Sequence, residues 1–286
     1  MEIEDNLLYP APITTPQPPI SLAAPTPGTP PWGILAAVGV WIASVLFILV
    51  IPTLFLLPYL AMQRPPIIDS DQIIEFAKSD PTSIFLQIVA IIPAHLLTVL
   101  VAWLVVTRMR KFSFRRTIGW KMGGFKWWHF FIVLGGFFVV ATVVGSFFPE
   151  KENDLVRILH SSRSAVYIVA FVATFTAPFV EEVVYRGVLY SAFQRTLGVP
   201  TAFLLVTFLF AVVHVPQYYP SYSTIFLLGL LSLILTSIRV KTGNLLPCII
   251  LHTLFNGIQS ILLILEPLMK SADVSEPAAT ILRFFQ

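Results

Sequence analysis

The chain has 286 residues, 56% of them hydrophobic and only 12% charged, with a formal net charge of +3 and a mean hydropathy of +0.83. A soluble domain carries roughly a quarter charged residues, so this composition excludes an ordinary soluble globule and places the chain in the membrane class. The basic balance does not signal a nucleic-acid partner, because the Lys and Arg stand beside apolar segments and form no patch on a polar domain; the single cysteine, Cys248, excludes an intrachain disulfide and a cysteine-type metal cluster.

Residues 1–32 are polar and rich in proline, with nine prolines between Pro10 and Pro31. Proline removes backbone donors and blocks helix, so this stretch reads as a disordered or polyproline arm. It carries Glu2, Glu4 and Asp5, and no Lys or Arg occurs before Arg64. The basic n-region of a secretory signal is missing, and the first apolar segment is expected to remain as an anchor.

Seven apolar segments follow, at about 33–62, 83–107, 127–148, 165–193, 201–215, 223–238 and 245–265. A spanning helix needs about 20 apolar residues. The expected fold is therefore all-α, a polytopic transmembrane helix bundle of seven to eight spans, the eighth to be sought in the long first segment or in the apolar end of the tail. By organisation the chain divides into the arm (1–32), three spans with a basic loop (33–148), four spans that contain buried polar groups (165–266) and a tail (267–286).

Positive charge in short loops sets orientation. The loop between the second and third spans holds Arg108, Arg110, Lys111, Arg115, Arg116, Lys121 and Lys126, and is expected to be cytoplasmic. Alternation then places Arg195, Arg239 and Lys241 on the same side. The opposite connections carry Asp69, Asp71, Glu75, Asp80, Glu150, Glu152 and Asp154. The N-terminus is expected in the cytoplasm and, with seven spans, the C-terminus outside. Trp120, Trp127 and Trp128 read as an interfacial aromatic belt. The small size suits an integral protein of a bacterial plasma membrane, in contact with lipid.

Three polar clusters interrupt the apolar spans. They are Glu181-Glu182-Val183-Val184-Tyr185-Arg186 in the fourth, Phe210-Ala211-Val212-Val213-His214 in the fifth, and His252-Thr253-Leu254-Phe255-Asn256 in the seventh. An ionisable group at a helix centre costs roughly 2.5–3.5 kcal/mol on an insertion scale, so such groups face a bundle interior or a wet cavity. Glu182 and Arg186 are four residues apart, acid first, and are expected to pair on one helix face. Glu181 is rotated from Glu182 by roughly 100° and need not share that arginine. A carboxylate in a partly dry pocket suits a general acid or base. His252 and Asn256 also stand four apart and project to one side, where both can donate hydrogen bonds to a developing oxyanion. His214 arrives from a third helix. Glu, His, His and Asn from three spans would make a water-activating site, and no Ser or Cys stands beside a plausible base. Tyr185 and Phe210 read as packing, and His95, His129 and His160 as ordinary core or surface histidines. Glu181, His214 and His252 are also of the types that hold zinc, but the HExxH spacing is absent and no cofactor is demanded.

At these residues the sequence resembles a known family. EEVVYR is similar to an EExxxR motif, FAVVH to FxxxH and HTLFN to HxxxN, in that order and in successive apolar helices. Together, over roughly residues 165–266, they resemble the CPBP family of CAAX-type prenyl endopeptidases and bacteriocin-processing or immunity relatives, also called Abi. The resemblance implies an intramembrane endopeptidase that hydrolyses a peptide bond near the membrane interface. It implies that Glu181 and His214 activate water, that His252 and Asn256 stabilise the oxyanion, and that Glu182 and Arg186 support the site. It leaves open a glutamate-dependent or a metal-dependent protease, with a divalent ion such as zinc in the second case. The implied partner is a peptide or membrane-protein substrate. Two other functions compete with this one: a non-catalytic immunity or scaffold protein, and a proton-coupled transporter that uses the buried Glu and His as a relay.

Overall fold

The computed structural model describes residues 24–149, 151, 153, 156, 158, 159 and 162–271. Its elements are α1 (Ile34–Ala61), α2 (Ser70–Ser79), α3 (Pro81–Val106), α4 (Phe114–Ile118), α5 (Trp127–Phe147), α6 (Arg163–Leu197), α7 (Val199–Tyr218), α8 (Tyr222–Thr242) and α9 (Leu246–Ser271). Seven of these helices, all but α2 and α4, are long and apolar enough to cross a membrane. The chain is thus an all-α integral membrane bundle. Large apolar side chains on α1, among them Leu35, Leu49 and Leu54, are exposed on the outside of the bundle. That is the surface expected of a helix solvated by acyl chains.

The sequence places the spans to within a few residues. At the start of α3, Asp80 accepts from the Ser83 amide at 2.7 Å, with Pro81 in the first turn. The last four spans, α6 to α9, are each longer than expected by five or six residues. Helix α7 runs through Pro216 to Tyr218, because a proline so near the end removes only a terminal hydrogen bond. Helix α9 continues past Glu266 to Ser271, so part of the stretch assigned to the tail is helical. The apolar tail end, Ile281–Phe285, lies outside the described residues, as does His160. So do Glu150, Glu152 and Asp154, three of the acids used for the orientation argument.

The proline-rich arm divides. Residues 1–23 lie outside the described residues, but residues 24–32 are folded onto the bundle. Thr26 and Thr29 close a turn, and Trp32 is buried with its Nε1–H donating to the Val188 carbonyl at 3.1 Å. Gln194 donates to the Pro27 carbonyl at 3.0 Å, and Arg195 to that of Pro30. A proline segment has few amides but keeps its carbonyls, so donors on a neighbouring helix suffice to tie it down. Arg195, expected as a free loop charge, is used here. At Gly119 (φ +79°) a Cβ would stand 2.9 Å from the Pro27 ring and 3.0 Å from the Asn244 backbone, so glycine is required where strap, α4 and the α8–α9 turn meet. The Trp32→Phe variant keeps most of the packing and loses one hydrogen bond. It is expected to lower stability by about 1 kcal/mol, read as a modest fall in melting temperature in detergent.

Arg239 also departs from the charge reading. It is 1% exposed, not a loop cation, and its guanidinium donates to the Ile118 and Gly243 carbonyls and to Ser191 Oγ, each at 3.1 Å. It sits in the last turn of α8, where free carbonyls and the helix dipole favour a cation.

Candidate active site

Helix α6 carries the first cluster and is not a uniform α-helix. Val172–Thr176 and Val183–Leu189 are π-helical, flanking an α-helical turn at Ala177–Glu182. Widened turns loosen carbonyls from the regular ladder, and side chains capture them. Asn256 Nδ2 donates to Ala173 O at 2.8 Å, Thr176 Oγ1 to Val172 O at 3.1 Å, and Trp32 to Val188 O. The π turns therefore fix where Glu181 and Glu182 point, and they are joined to α9 and to the N-terminal strap.

Glu182 and Arg186 pair at 2.8 Å with both side chains fully buried. Arg186 also donates through Nη2 to the Ser232 hydroxyl and carbonyl, at 2.7 and 3.0 Å, and through Nε to Thr236 Oγ1 at 3.3 Å. Its guanidinium lies over the Phe210 ring, 4.6 Å from the centroid. A buried ion pair is tolerable only when its remaining donors are satisfied, and Ser232 and Thr236 on α8, four residues apart, meet that need. Glu182 Oε1 accepts a second bond from His252 Nδ1 at 3.0 Å, while its Oε2 is buried with no partner among the described residues. The Ser232→Ala variant is expected to cost about 1–3 kcal/mol of stability, since it removes a bond to a charged donor. Thermal unfolding in detergent measures it.

Glu181 does not share the arginine. Its Oε2 stands 3.7 Å from His252 Nε2, and its side chain is 23% exposed where that of Glu182 is sealed. His252 is therefore held between two carboxylates, Nδ1 toward the buried one and Nε2 toward the accessible one. His214 Nδ1 donates to the Phe210 carbonyl at 2.7 Å, one turn back on its own helix. That bond fixes the tautomer and leaves Nε2 as an acceptor. Phe210 packs against both imidazoles, with centroids 4.8 Å from His214 and 6.0 Å from His252.

Glu181, His214, His252 and Asn256 all line one cavity of about 490 Å³. Among the described residues, Glu181 is the one Asp, Glu, Lys or Arg that lines it. The lining includes a residue that sequence reasoning left aside: His95 of α3. Its Nδ1 donates to Thr176 Oγ1 at 2.9 Å, since that hydroxyl already spends its proton on Val172 O. The signal available in advance was a lone histidine in an apolar span, which does not by itself separate a packed residue from a site residue. His129 belongs elsewhere: it accepts from the Lys126 amide at 2.8 Å and stacks on Trp128.

Among the described residues the donor set does not converge as a zinc site requires. Bonds from Nδ1 to a carboxylate or carbonyl would suit metal-bound histidines, but zinc needs three or four protein ligands converging on one point. Glu181 and His252 approach each other, yet among the described residues no three His, Cys, Asp or Glu side chains gather closely enough to share an ion.

Seven apolar helices enclosing a cavity lined by one accessible carboxylate and three imidazoles define an integral membrane protein with a polar site inside its bundle. Residues 163–258, about a third of the chain, match the family model for type II CAAX prenyl endopeptidase Rce1-like proteins. The match covers all three motifs. No curated protein and no solved structure matches the chain.

Proposed function

We propose that the protein is a CAAX-type intramembrane endopeptidase in which Glu181 and His214 activate water. The carrying observation is that four side chains from three helices line one cavity, with both motif histidines tied through Nδ1. The family match of residues 163–258 supports the same class of activity. In this reading a water held by Glu181 and the bare Nε2 of His214 attacks the scissile carbonyl, and Glu181 takes its proton. The oxyanion is met by His252 Nε2–H and by the second Nδ2–H of Asn256. In that donating form His252 carries protons on both nitrogens, with Glu182 and Glu181 as counter-charges at 3.0 and 3.7 Å. The proton on Glu181 then passes to the leaving amine, the C–N bond breaks, and acid and amine products separate. Glu182, Arg186, Ser232 and Thr236 position His252 and do not touch substrate.

The substrate in this reading is a peptide or a segment of a membrane protein. Reconstituted into liposomes with a membrane-anchored peptide that it cuts, the protein is expected to keep its rate after treatment with a strong zinc chelator. Loss of activity restored by added zinc would contradict the metal-free mechanism. The Asn256→Ala variant removes one oxyanion donor and the tie to Ala173. It is expected to lower kcat by about 10²–10³, with a smaller change in KM.

A further inference from the structure

The cavity belongs to one end of the bundle. On α6 its lining runs from Val169 to Tyr185 and stops there; on α7 it runs from Phe210 to Tyr218; on α8 from Thr224 to Leu231; on α9 from His252 to Leu263. On α3 it takes residues Ile88 to Thr98, in the first two-thirds of that helix. On α6, α7 and α8 these stretches lie toward the end where α6 begins and α7 turns into α8 at 219–221, on α3 toward its start at Pro81 and on α9 toward its end at Ser271, while α1 adds Ser44 to Leu49 from its middle. Leu159 of the connection before α6 and Gln217 and Tyr218 beside the α7–α8 turn are themselves part of the wall, and Gln217 is exposed.

The opposite end is solid. Past Tyr185, α6 is sealed: Arg186, Val188 and Leu189 are fully buried, as are Leu245, Ile118 and, at 1% exposure, Arg239. The strap of residues 24–32, the Gly119 turn and the Asn244 turn are packed over them. On this closed end stand Arg108, Arg110, Lys111, Arg115, Arg116, Lys121 and Lys126, all exposed. The chain from Pro81 to Pro149 contains no Asp or Glu to offset them. Uncompensated Lys and Arg in a short loop mark the cytoplasmic face.

We infer that the active-site cavity opens on the extracytoplasmic side, so that the substrate is the extracytoplasmic juxtamembrane segment of a membrane-anchored polypeptide. The inference rests on the proposed hydrolytic role for its substrate, but not for its sidedness. The chemistry of the walls fits such a segment: Ile88, Ile91, Leu227 and Leu263 offer apolar surface, and Glu181 is the one formal acid facing it. An uncharged or apolar stretch next to a lipid or helical anchor would be accepted, and a peptide tail presented from the cytoplasm would meet the sealed floor.

Cysteine accessibility tests this without turnover. Gln217→Cys at the mouth and Met109→Cys in the basic loop are placed singly in the full chain; both positions are exposed, and the native Cys248 is fully buried. Intact cells are treated with a membrane-impermeant maleimide before or after lysis. The expected result is labelling of Gln217→Cys in intact cells and of Met109→Cys only after lysis. Labelling of Met109→Cys in intact cells, or of Gln217→Cys only after lysis, would overturn the inference. A Glu181→Gln background gives the same labelling pattern, so failure of the sidedness and failure of the protease reading are told apart.

Discussion

Replacing Glu181 by Gln is expected to lower kcat/KM by about 10²–10⁴, the range for removal of a positioned general base, while the variant inserts and unfolds as the wild type does. The amide is nearly isosteric, but it cannot accept the proton of an attacking water. Glu181 is the carboxylate suited to this loss because it is accessible to the cavity and is not spent on Arg186. The measurement is steady-state cleavage of a membrane-anchored peptide, paired with thermal unfolding of the same preparation. Full activity would remove Glu181 from the mechanism. A large fall in melting temperature with no proteolysis in either protein would favour a structural cluster in a non-catalytic scaffold.

The second large effect is expected at Arg186. The Arg186→Met variant keeps much of the side chain's volume over Phe210 and strips Glu182 of its cation. Breaking a buried pair by removing one partner costs about 3–5 kcal/mol, because the remaining charge stays uncompensated. Activity should fall with stability, since Glu182 also holds His252. The double variant Glu182→Gln, Arg186→Met removes the orphaned charge and is expected to regain part of the stability but little of the activity. An Arg186→Met protein with an unchanged melting temperature would show that the pair is not sealed from solvent.

The membrane class and the span positions were readable because long apolar runs are nearly sufficient to specify spanning helices. The helical offsets also carried real geometry. Acid and arginine four residues apart do pair, and His252 and Asn256 do reach the same cavity. What could not be read was whatever depends on neighbours across the bundle. The π turns in α6 leave no periodic signature, because their loosened carbonyls are satisfied by Trp32 and Asn256, distant in sequence. Ser232 and Thr236 look like ordinary small residues in a span until Arg186 is placed against them. Arg239 was counted with the loop charges although it is buried on free helix-end carbonyls. The last residues of the proline-rich arm were read by composition, which registers missing amides but not a tryptophan that buries itself.

The hydrolytic account depends on Glu181 and His214 acting on one water. A double-mutant cycle on kcat/KM, with Glu181→Gln, His214→Gln and the pair together against a single substrate, tests that directly. Groups that act as a unit are strongly non-additive, so the double variant is expected to be about as slow as the slower single variant. Two losses that multiply in full would contradict a shared water and with it the proposed mechanism.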